Sequence, residues 1–320
     1  MIEYLIIQLD DTSTSYCHYD NPKKKENLIE LNTLKSGILF AMKENLMIQF
    51  AFPNYKLPEE YKEIIESIDH SKIISSICED RLLAEEADVI VCHGWKDLSS
   101  VDFKEGRSYV LRTTKTELFD NYLFVKDILE NVTRLNIVIT DVESFKEKDF
   151  EVYKQILEVI SVQIEKLYIS GKNTQCDLLT DRMMLMAMNN CGAGDTNITL
   201  APNGKFYVCP AFYLHNELDS VGNLASGLDI KNKQLYKLDH APICRHCDAY
   251  HCKRCIWLNQ KTTLEVNTPS HEQCAVAHLE RNASRELLIK IRNNGIFLTE
   301  HRDIKKLNYL DPFDKYNYYQ

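Results

Sequence analysis

The sequence predicts an α/β protein with parallel strands, followed by a smaller cysteine-rich part. Two observations carry this prediction. Over roughly the first 170 residues, short apolar runs alternate with longer amphipathic segments, which is the order of repeated β/α units. In addition, seven of the 11 cysteines fall between Cys191 and Cys274, so the second part of the chain has a composition of its own.

Size and charge narrow the class of protein. With 320 residues the chain has room for one large or two ordinary domains, and 44% hydrophobic residues are enough for a buried core. A net charge of −9 argues against general nucleic-acid binding. The start of the chain has no basic residues, and Glu3 and Gln8 interrupt its apolar run, so it predicts a strand rather than a signal peptide. No apolar stretch is long enough for a membrane span. We therefore expect a cytoplasmic protein with no nucleic-acid or membrane partner.

Seven apolar runs of five or six residues predict strands, and the segments between them predict helices. The strands are expected at 4–8, 47–51, 72–77, 88–92, 109–113, 136–140 and 166–170. The helices are expected at 26–43, 59–68, 118–132 and 149–165, with short links after Cys78 and Cys92. A partial β/α barrel and a doubly wound sheet both cover the faces of such strands, so the pattern leaves both open.

Polar and thiol side chains follow several predicted strands. Asp10, Asp11 and Cys17 come after the first strand, Cys78 follows the third, and Cys92 ends the fourth. The carboxyl ends of strands form the functional face of β/α folds. Asp10, Asp11 and Cys17 are therefore candidate catalytic residues. The three cysteines either meet in a site across strands or are small buried side chains.

The second part predicts a hairpin and a final helix. Segments 197–201 and 205–209 flank Pro-Asn-Gly, a sequence typical of a tight turn, and this hairpin would bring Cys209 back towards Cys191. The apolar spacing of residues 275–293 predicts a helix, and the residues after it form a polar, tyrosine-rich tail.

The cysteine spacing predicts metal binding. It runs Cys191-x12-Gly204-x4-Cys209, then Cys244-x2-Cys247-x4-Cys252-x2-Cys255, then Cys274. Clustered thiols in a reducing compartment bind metal more often than they form disulfides, and thiolates select zinc, copper(I) or iron–sulfur clusters. Seven thiols exceed the four ligands of one site, so we infer two sites, or one site with extra cysteines.

This spacing resembles the SPASM domain of radical S-adenosylmethionine enzymes that modify ribosomal peptides. The chain departs from that pattern by one residue at two places, since four residues rather than five precede Cys252 and two rather than three precede Cys255. The block Cys-Arg-His-Cys-Asp-Ala-Tyr-His-Cys-Lys-Arg-Cys and the N-terminal Leu-Asp-Asp-Thr-Ser-Thr-Ser-Tyr-Cys-His-Tyr resemble the CXXX repeat peptide maturases. The resemblance therefore spans nearly the whole chain.

The resemblance implies an architecture and a function. It implies a partial (β/α) barrel of about six parallel strands in a degenerate radical SAM-like domain at 1–175. A SPASM-like domain with a hairpin and a C-terminal helix at 176–295 and a tail at 296–320 would follow. The implied function is post-translational modification of a Cys-rich precursor peptide, with another maturation protein or an electron donor as a further partner. A noncatalytic peptide-binding scaffold of the same system is the alternative.

The resemblance also implies ligand sets for one or two 4Fe–4S clusters. Cys191, Cys209 and Cys255 would hold a first auxiliary site, with Cys176 as a candidate extra ligand. Cys244, Cys247, Cys252 and Cys274 would hold a second. Zinc is the alternative occupant, because a compact block of four cysteines also suits a tetrahedral structural zinc site.

The radical SAM cluster motif itself is missing. Such enzymes place Cys-x3-Cys-x2-Cys just after the first strand, and here Cys17 has no cysteine at any matching position. If Cys17 takes the third position, Asp10 and Thr14 take the others. Phe-Pro-Asn stands at 52–54 in place of the Gly-Gly-Glu segment that holds the amino group of S-adenosylmethionine. S-adenosylmethionine is therefore a doubtful cofactor, and both the maturase and the scaffold remain predictions.

Overall fold

A nine-stranded sheet lies at the centre of the computed structural model, which describes residues 1–296 and 303–312. Its strands are β1 (Tyr4–Gln8), β2 (Met47–Ala51), β3 (Ser71–Ser75), β4 (Val89–His93), β5 (Ser108–Thr113), β6 (Arg134–Ile139), β7 (Gln175–Cys176), β8 (Asn197–Leu200) and β9 (Phe206–Tyr207). They lie in the order β7-β6-β5-β4-β3-β2-β1-β8-β9, and every neighbouring pair is parallel except β8 and β9. The predicted α/β class with a sheet of parallel strands is confirmed.

Helices connect and cover these strands. They are α1 (Leu31–Lys43), α2 (Glu59–Glu66), α3 (Arg81–Glu86), α4 (Trp95–Ser99), α5 (Lys115–Asn121), α6 (Phe124–Asn131), α7 (Glu147–Ile169), α8 (Thr180–Met184), α9 (Pro210–His215), α10 (Ile256–Thr263) and α11 (His271–Asn293). A small antiparallel pair, β10 (Gly222–Asn223) and β11 (Gly227–Leu228), lies outside the main sheet. The links after Cys78 and Cys92 contain α3 and α4, which are short as predicted.

Six of the seven predicted strands are present, each within two residues of its expected ends. The prediction of a strand at 166–170 is wrong, because these residues form the last turn of α7 and its cap. Leu167 and Tyr168 are buried and continue the apolar face of Ile160 and Ile164 at helical spacing. The chain leaves the helix at Gly171, whose φ of +84° suits glycine.

The last described helix, α11, packs against α7. Its first turn is closed by a capping box, in which the Ser270 hydroxyl accepts from the Gln273 amide and the Gln273 side chain accepts from the Ser270 amide. Leu279, Leu287 and Ile291 form part of its buried face. The helix therefore begins four residues earlier than predicted and carries Cys274 on its first turn.

The predicted hairpin is formed by β8 and β9, which pair with Leu200 opposite Phe206. Gly204 occupies the turn with a φ of +74°. β8 also pairs in parallel with β1, so a segment from the second part of the chain completes the sheet of the first. The division into domains at 175 stays a prediction. The predicted tail lies largely outside the described residues. No helix in 1–296 or 303–312 is long and apolar enough to cross a membrane.

Candidate metal centres

Four cysteines of the second predicted site line one cavity. They are Cys244, Cys247, Cys252 and Cys274, and we call them the second thiol group. Apolar side chains such as Ala249 and Ala277 fill much of the remaining wall. Burial raises the pKa of Cys244 to about 11 and that of Cys252 to about 12, so these thiols stay protonated in the absence of a cation. The family resemblance implies the same four cysteines as one ligand set, which stays a prediction.

Two polar contacts hold the cysteine block against α11. Arg281, which has no exposed surface, donates to both carboxylate oxygens of Asp248, at 3.0 and 2.7 Å. The His251 ring lies 3.0 Å from a carboxylate oxygen of Glu280, which also accepts from the Tyr153 hydroxyl at 2.6 Å. Asp248 and His251 lie between Cys247 and Cys252, so these contacts fix the loop that presents both thiols.

Two groups on the protein face the sulfur of Cys247. The Ala249 amide donates to it over 3.4 Å, and the Nε2 of His278 lies 3.5 Å away. Hydrogen bonds to cysteine sulfur tune metal–thiolate sites. His278 therefore lies beside the candidate ligands, whereas His246 is exposed.

Arg254 lies in the same cavity wall with much of its charge unpaired. Its side chain is 3% exposed, and one guanidinium nitrogen donates to the Tyr236 carbonyl. Its other two guanidinium nitrogens have no hydrogen-bond partner among the described residues. The charge lowers the pKa of Cys244 and of Cys191 against the larger effect of burial, so Arg254 lies near both predicted sites. A buried, partly unpaired cation suits an anionic ligand such as a thiolate-bound cluster.

The cysteines of the first predicted site also lie near one hydrophobic cluster, and we call these three the first thiol group: Cys191, Cys209 and Cys255. Burial and the nearby thiol of Cys191 raise the pKa of Cys209. Burial, Cys191 and Cys209 also raise the pKa of Cys255. The Cys191 amide donates to the Lys253 carbonyl at 3.1 Å, which joins the start of the hairpin segment to the cysteine block. The hairpin thus brings Cys209 back to Cys191, as predicted.

Cys17 lies beside this first group. Burial raises its pKa to about 12, and Cys191 is the next largest cause. Cys17 also affects the pKa of Cys209 and Cys255, and it packs with Cys191 and Cys209 against one hydrophobic cluster. Sequence reasoning did not place Cys17 here, because nothing in the spacing links it to residues more than 170 positions away.

The remaining cysteines have other surroundings. Cys92 is fully buried in the core, as expected of a small apolar side chain, and Cys78 is partly buried beside Asp80. Cys176 is fully buried in β7, and its amide donates to the Thr180 hydroxyl at 2.8 Å. The charged groups that act most on its pKa are Asp177, Asp181 and Arg134.

Asp10 anchors the turn after β1. One carboxylate oxygen accepts from the amide and hydroxyl of Thr12, at 2.7 and 2.5 Å. The other accepts from the Asn27 amide at 2.7 Å and the Tyr55 hydroxyl at 3.0 Å. Because Asp10 is fully buried and accepts four hydrogen bonds, the geometry gives it a structural role.

Replacing Asp10 by alanine is expected to destabilise the protein by about 2–4 kcal/mol, because buried amide and hydroxyl donors lose their acceptor. Urea unfolding measures the change. Asp20→Ala is the matched control, since its side chain is 83% exposed and its ion pair with Arg112 is worth about 1 kcal/mol or less. Equal losses in the two variants would contradict the structural role.

Asp11 joins the same loop to the second part of the chain. Its carboxylate accepts from the Tyr213 hydroxyl on α9 and from Lys23 at 3.3 Å. Lys23 also lies 3.9 Å from the centre of the Tyr213 ring. Asp11 therefore ties the N-terminal loop to the helix that follows Cys209.

The rest of this loop is held by Arg112 of β5. Its guanidinium donates to the carbonyls of Cys17 at 2.8 Å and Tyr19 at 2.6 Å, and it lies 2.9 Å from a ring nitrogen of His93. The other ring nitrogen of His93 lies 2.9 Å from the Thr14 hydroxyl. Polar side chains thus hold the loop after β1 in place. This is the loop in which radical SAM enzymes have their three cluster cysteines.

Asp177 gives the fold a pH dependence. Burial and the nearby Asp181 raise its pKa to about 7, and its carboxylate accepts from the Ile137 amide at 2.9 Å. The pKa of an Asp in an unfolded chain is about 4, so the native state binds more protons than the unfolded state between about pH 4 and pH 7. The contribution of Asp177 to the free energy of unfolding therefore falls as the pH rises through this window.

Asp177→Asn keeps the acceptor and removes the titration. We expect the variant to lose this part of the pH dependence and to exceed the wild type in stability at pH 8 by about 1–3 kcal/mol, at roughly 1.4 kcal/mol per pKa unit. Urea unfolding at pH 5 and pH 8 measures it, with Asp20→Asn as an exposed control. Parallel pH profiles for all three proteins would contradict the assignment.

Within the described residues, no three His, Cys, Asp or Glu side chains form a ready-made site for a single metal ion. A 4Fe–4S cluster distributes four thiolates over four irons, so its ligands do not converge on one point. Four thiols around one cavity and a buried cation beside them fit such a group.

The overall fold is similar to that of a protein that has been solved with bound AdoMet. The structures concerned are those of anSMEcpe. Polyhistidine-tagged anSMEcpe with bound AdoMet aligns at a TM-score of 0.59 and 14% identity, over 92% of this chain and 97% of that chain. Native anSMEcpe with bound AdoMet and Cp18Cys peptide gives 0.60 and 14%, over 91% and 99%. The form with Kp18Cys peptide gives 0.58 and 13%, over 90% and 99%.

The predicted resemblance is therefore supported at the level of the overall fold, which the chain shares with anSMEcpe. No protein-family model and no curated protein matches the chain.

Proposed function

We propose that this protein acts in the maturation of a Cys-containing precursor peptide and carries two 4Fe–4S clusters in its cysteine-rich part. The observation that carries the proposal is the common cavity of Cys244, Cys247, Cys252 and Cys274. Bound clusters would supply electron transfer or a binding point for a peptide thiolate. The chain's own residues would hold the clusters and position the peptide. The likeness to a fold solved with Cp18Cys and Kp18Cys peptides supports a peptide partner.

An open cavity of about 320 Å³ suits the peptide. Phe212 and His215 from α9 and Trp257 from α10 give it an aromatic wall, with the rings of His215 and Trp257 5.0 Å apart. Lys261 lies 5.4 Å from the Trp257 ring centre, and Asp20 adds a negative charge. An apolar wall with a few charged groups is typical of ligand sites.

This cavity lies beside the first thiol group along the chain. Helix α9 begins directly after Cys209, α10 begins directly after Cys255, and Asp20 follows Cys17 by three residues. A peptide in the cavity would therefore lie next to the elements that present these thiols.

Peptide binding is expected to change the fluorescence of Trp257, one of two tryptophans in the chain. Titration of a CXXX repeat peptide into Trp95→Phe measures binding through Trp257 alone. Phe212→Ala in that background is expected to weaken binding about tenfold or more, because aromatic anchors dominate such interfaces. Unchanged affinity would contradict this cavity as the peptide site. The Trp257→Phe variant, which keeps Trp95, is the control and should show no signal.

The loop after β1 favours a second candidate, a noncatalytic peptide-binding partner. Asp10 and Thr14, which stand at two of the three family positions when Cys17 is the third, are engaged by Tyr55 and His93. In this candidate the clusters, or zinc, stabilise the cysteine-rich part as structural groups.

One experiment distinguishes these functions. The protein is purified without oxygen, analysed for iron, sulfide and zinc, and then mixed with S-adenosylmethionine and dithionite. A brown protein with about equal iron and sulfide supports the clusters, whereas a colourless zinc-loaded protein contradicts them. Formation of 5′-deoxyadenosine would support the maturase, and its absence from a fully loaded protein would support the noncatalytic partner.

A further inference from the structure

Cys17 is the one N-terminal cysteine that lies with the first thiol group. Cys17, Cys191 and Cys209 pack against a shared hydrophobic cluster that includes Tyr19, Val208 and Ala211. Cys255 directly precedes Ile256 of α10, which is a buried member of the same cluster. Four thiols from four separate segments of the chain therefore border one hydrophobic cluster.

With Cys17, the first thiol group would have the four thiolates that a cluster needs. Cys191, Cys209 and Cys255 give three thiolates, and a fully ligated 4Fe–4S cluster takes four. The candidate extra ligand expected from the sequence, Cys176, is fully buried among carboxylates and Arg134. Cys17 is partly buried and packs against the same hydrophobic cluster as Cys191 and Cys209.

We propose that Cys17 is the fourth ligand of the first auxiliary cluster, together with Cys191, Cys209 and Cys255. The inference rests on the proposed function, since it requires that this site holds a cluster. Arg112 supports the role, because it donates to the carbonyls of Cys17 and Tyr19 and fixes the backbone on both sides of His18. The thiol that the family pattern would assign to a radical SAM cluster thus serves the auxiliary site instead.

The test isolates the first cluster. Cys252→Ala/Cys274→Ala serves as the parent, and Cys17→Ala or Cys176→Ala is added to it before anaerobic reconstitution with iron and sulfide. We expect Cys17→Ala to reduce the iron from about four to about three per chain and to give a 3Fe–4S electron paramagnetic resonance signal after oxidation. The Cys176→Ala protein should match the parent.

Three outcomes would overturn the assignment in different ways. Unchanged iron and spectrum in Cys17→Ala would show that Cys17 is not a ligand, while the clusters themselves stand. Loss of iron in Cys176→Ala would transfer the role to that residue. If the wild-type protein holds no iron and sulfide, this result would contradict the proposed function, and the ligand assignment would fall with it.

Alkylation tests the same point without a substitution, in case Cys17→Ala fails to fold. Wild-type protein is treated with iodoacetamide before and after removal of iron by a chelator, and each cysteine is followed by mass spectrometry. Cys17 should be protected in the loaded protein and labelled after chelation. Cys78, which is also partly buried, is the control and should label equally in both states. Equal labelling of Cys17 in both states would contradict the proposal.

Discussion

Replacing Cys252 and Cys274 by alanine is expected to remove one cluster and leave the other, so iron falls from about eight to about four per chain. Both residues line the cavity of the second thiol group, with Cys244 and Cys247. The first thiol group is presented by other segments, namely the hairpin and the start of α10. Removing two ligands of one cavity should therefore leave the second ligand set intact.

Cys78→Ala is the control for the loss of a thiol, and Cys191→Ala/Cys209→Ala is the reciprocal variant. The reciprocal variant should also lose about half of the iron, and its remaining cluster should give a different paramagnetic resonance spectrum. Loss of all iron in either double variant, or of none, would contradict the partition into two sites. Far-ultraviolet circular dichroism checks that each variant keeps its helices.

Arg254→Gln is expected to weaken both clusters at once. The guanidinium is buried with two unpartnered nitrogens among the described residues, and it lies near Cys244 of one site and Cys191 of the other. Its φ of +44° is unfavourable for a side chain with a Cβ, so the position is held by its surroundings. Without the positive charge, an anionic cluster in either site is less stable and harder to reduce.

The measurement is the rate of iron loss to a chelator, together with the reduction potential of each cluster. We expect iron loss to be roughly ten- to thirtyfold faster, equivalent to about 1.5–2 kcal/mol, and both potentials to become more negative. Arg254→Lys should retain most of the wild-type behaviour because it keeps the charge. Arg245→Gln, an exposed arginine in the same block, is the matched control. A change in a single cluster would contradict the position of Arg254 between both sites.

The sequence predicted the features that depend on local patterns. Apolar runs marked six of the seven expected strands, and the Pro-Asn-Gly turn marked the hairpin. Strand 166–170 failed because Leu167 and Tyr168 suit a strand and the end of an amphipathic helix equally, and the preceding helix extended through them. The family resemblance, rather than the spacing alone, grouped Cys244, Cys247, Cys252 and Cys274 as one ligand set, and these four cysteines line one cavity.

Contacts between distant segments could not be predicted from the sequence. The neighbours of Cys17 and Arg254 depend on how the loop after β1 meets the cysteine block, and one sequence has no periodic signal for that contact. The same holds for Asp10, which as a carboxylate after a strand suggested catalysis, whereas its four donors come from residues 2, 17 and 45 positions away. Residue type marked these positions as polar and ionisable, and tertiary structure decided their roles.

The pairing of β1 with β8 constrains how the chain folds during synthesis. β1 is made well before β8, so one of its edges stays without a partner until residues 197–200 have been made. Until then, the growing chain exposes a row of unpaired amides and carbonyls along its first strand, and such edges promote aggregation. The sheet can therefore be completed only late in synthesis. Its completion depends on the segment that also carries Cys191 and Cys209.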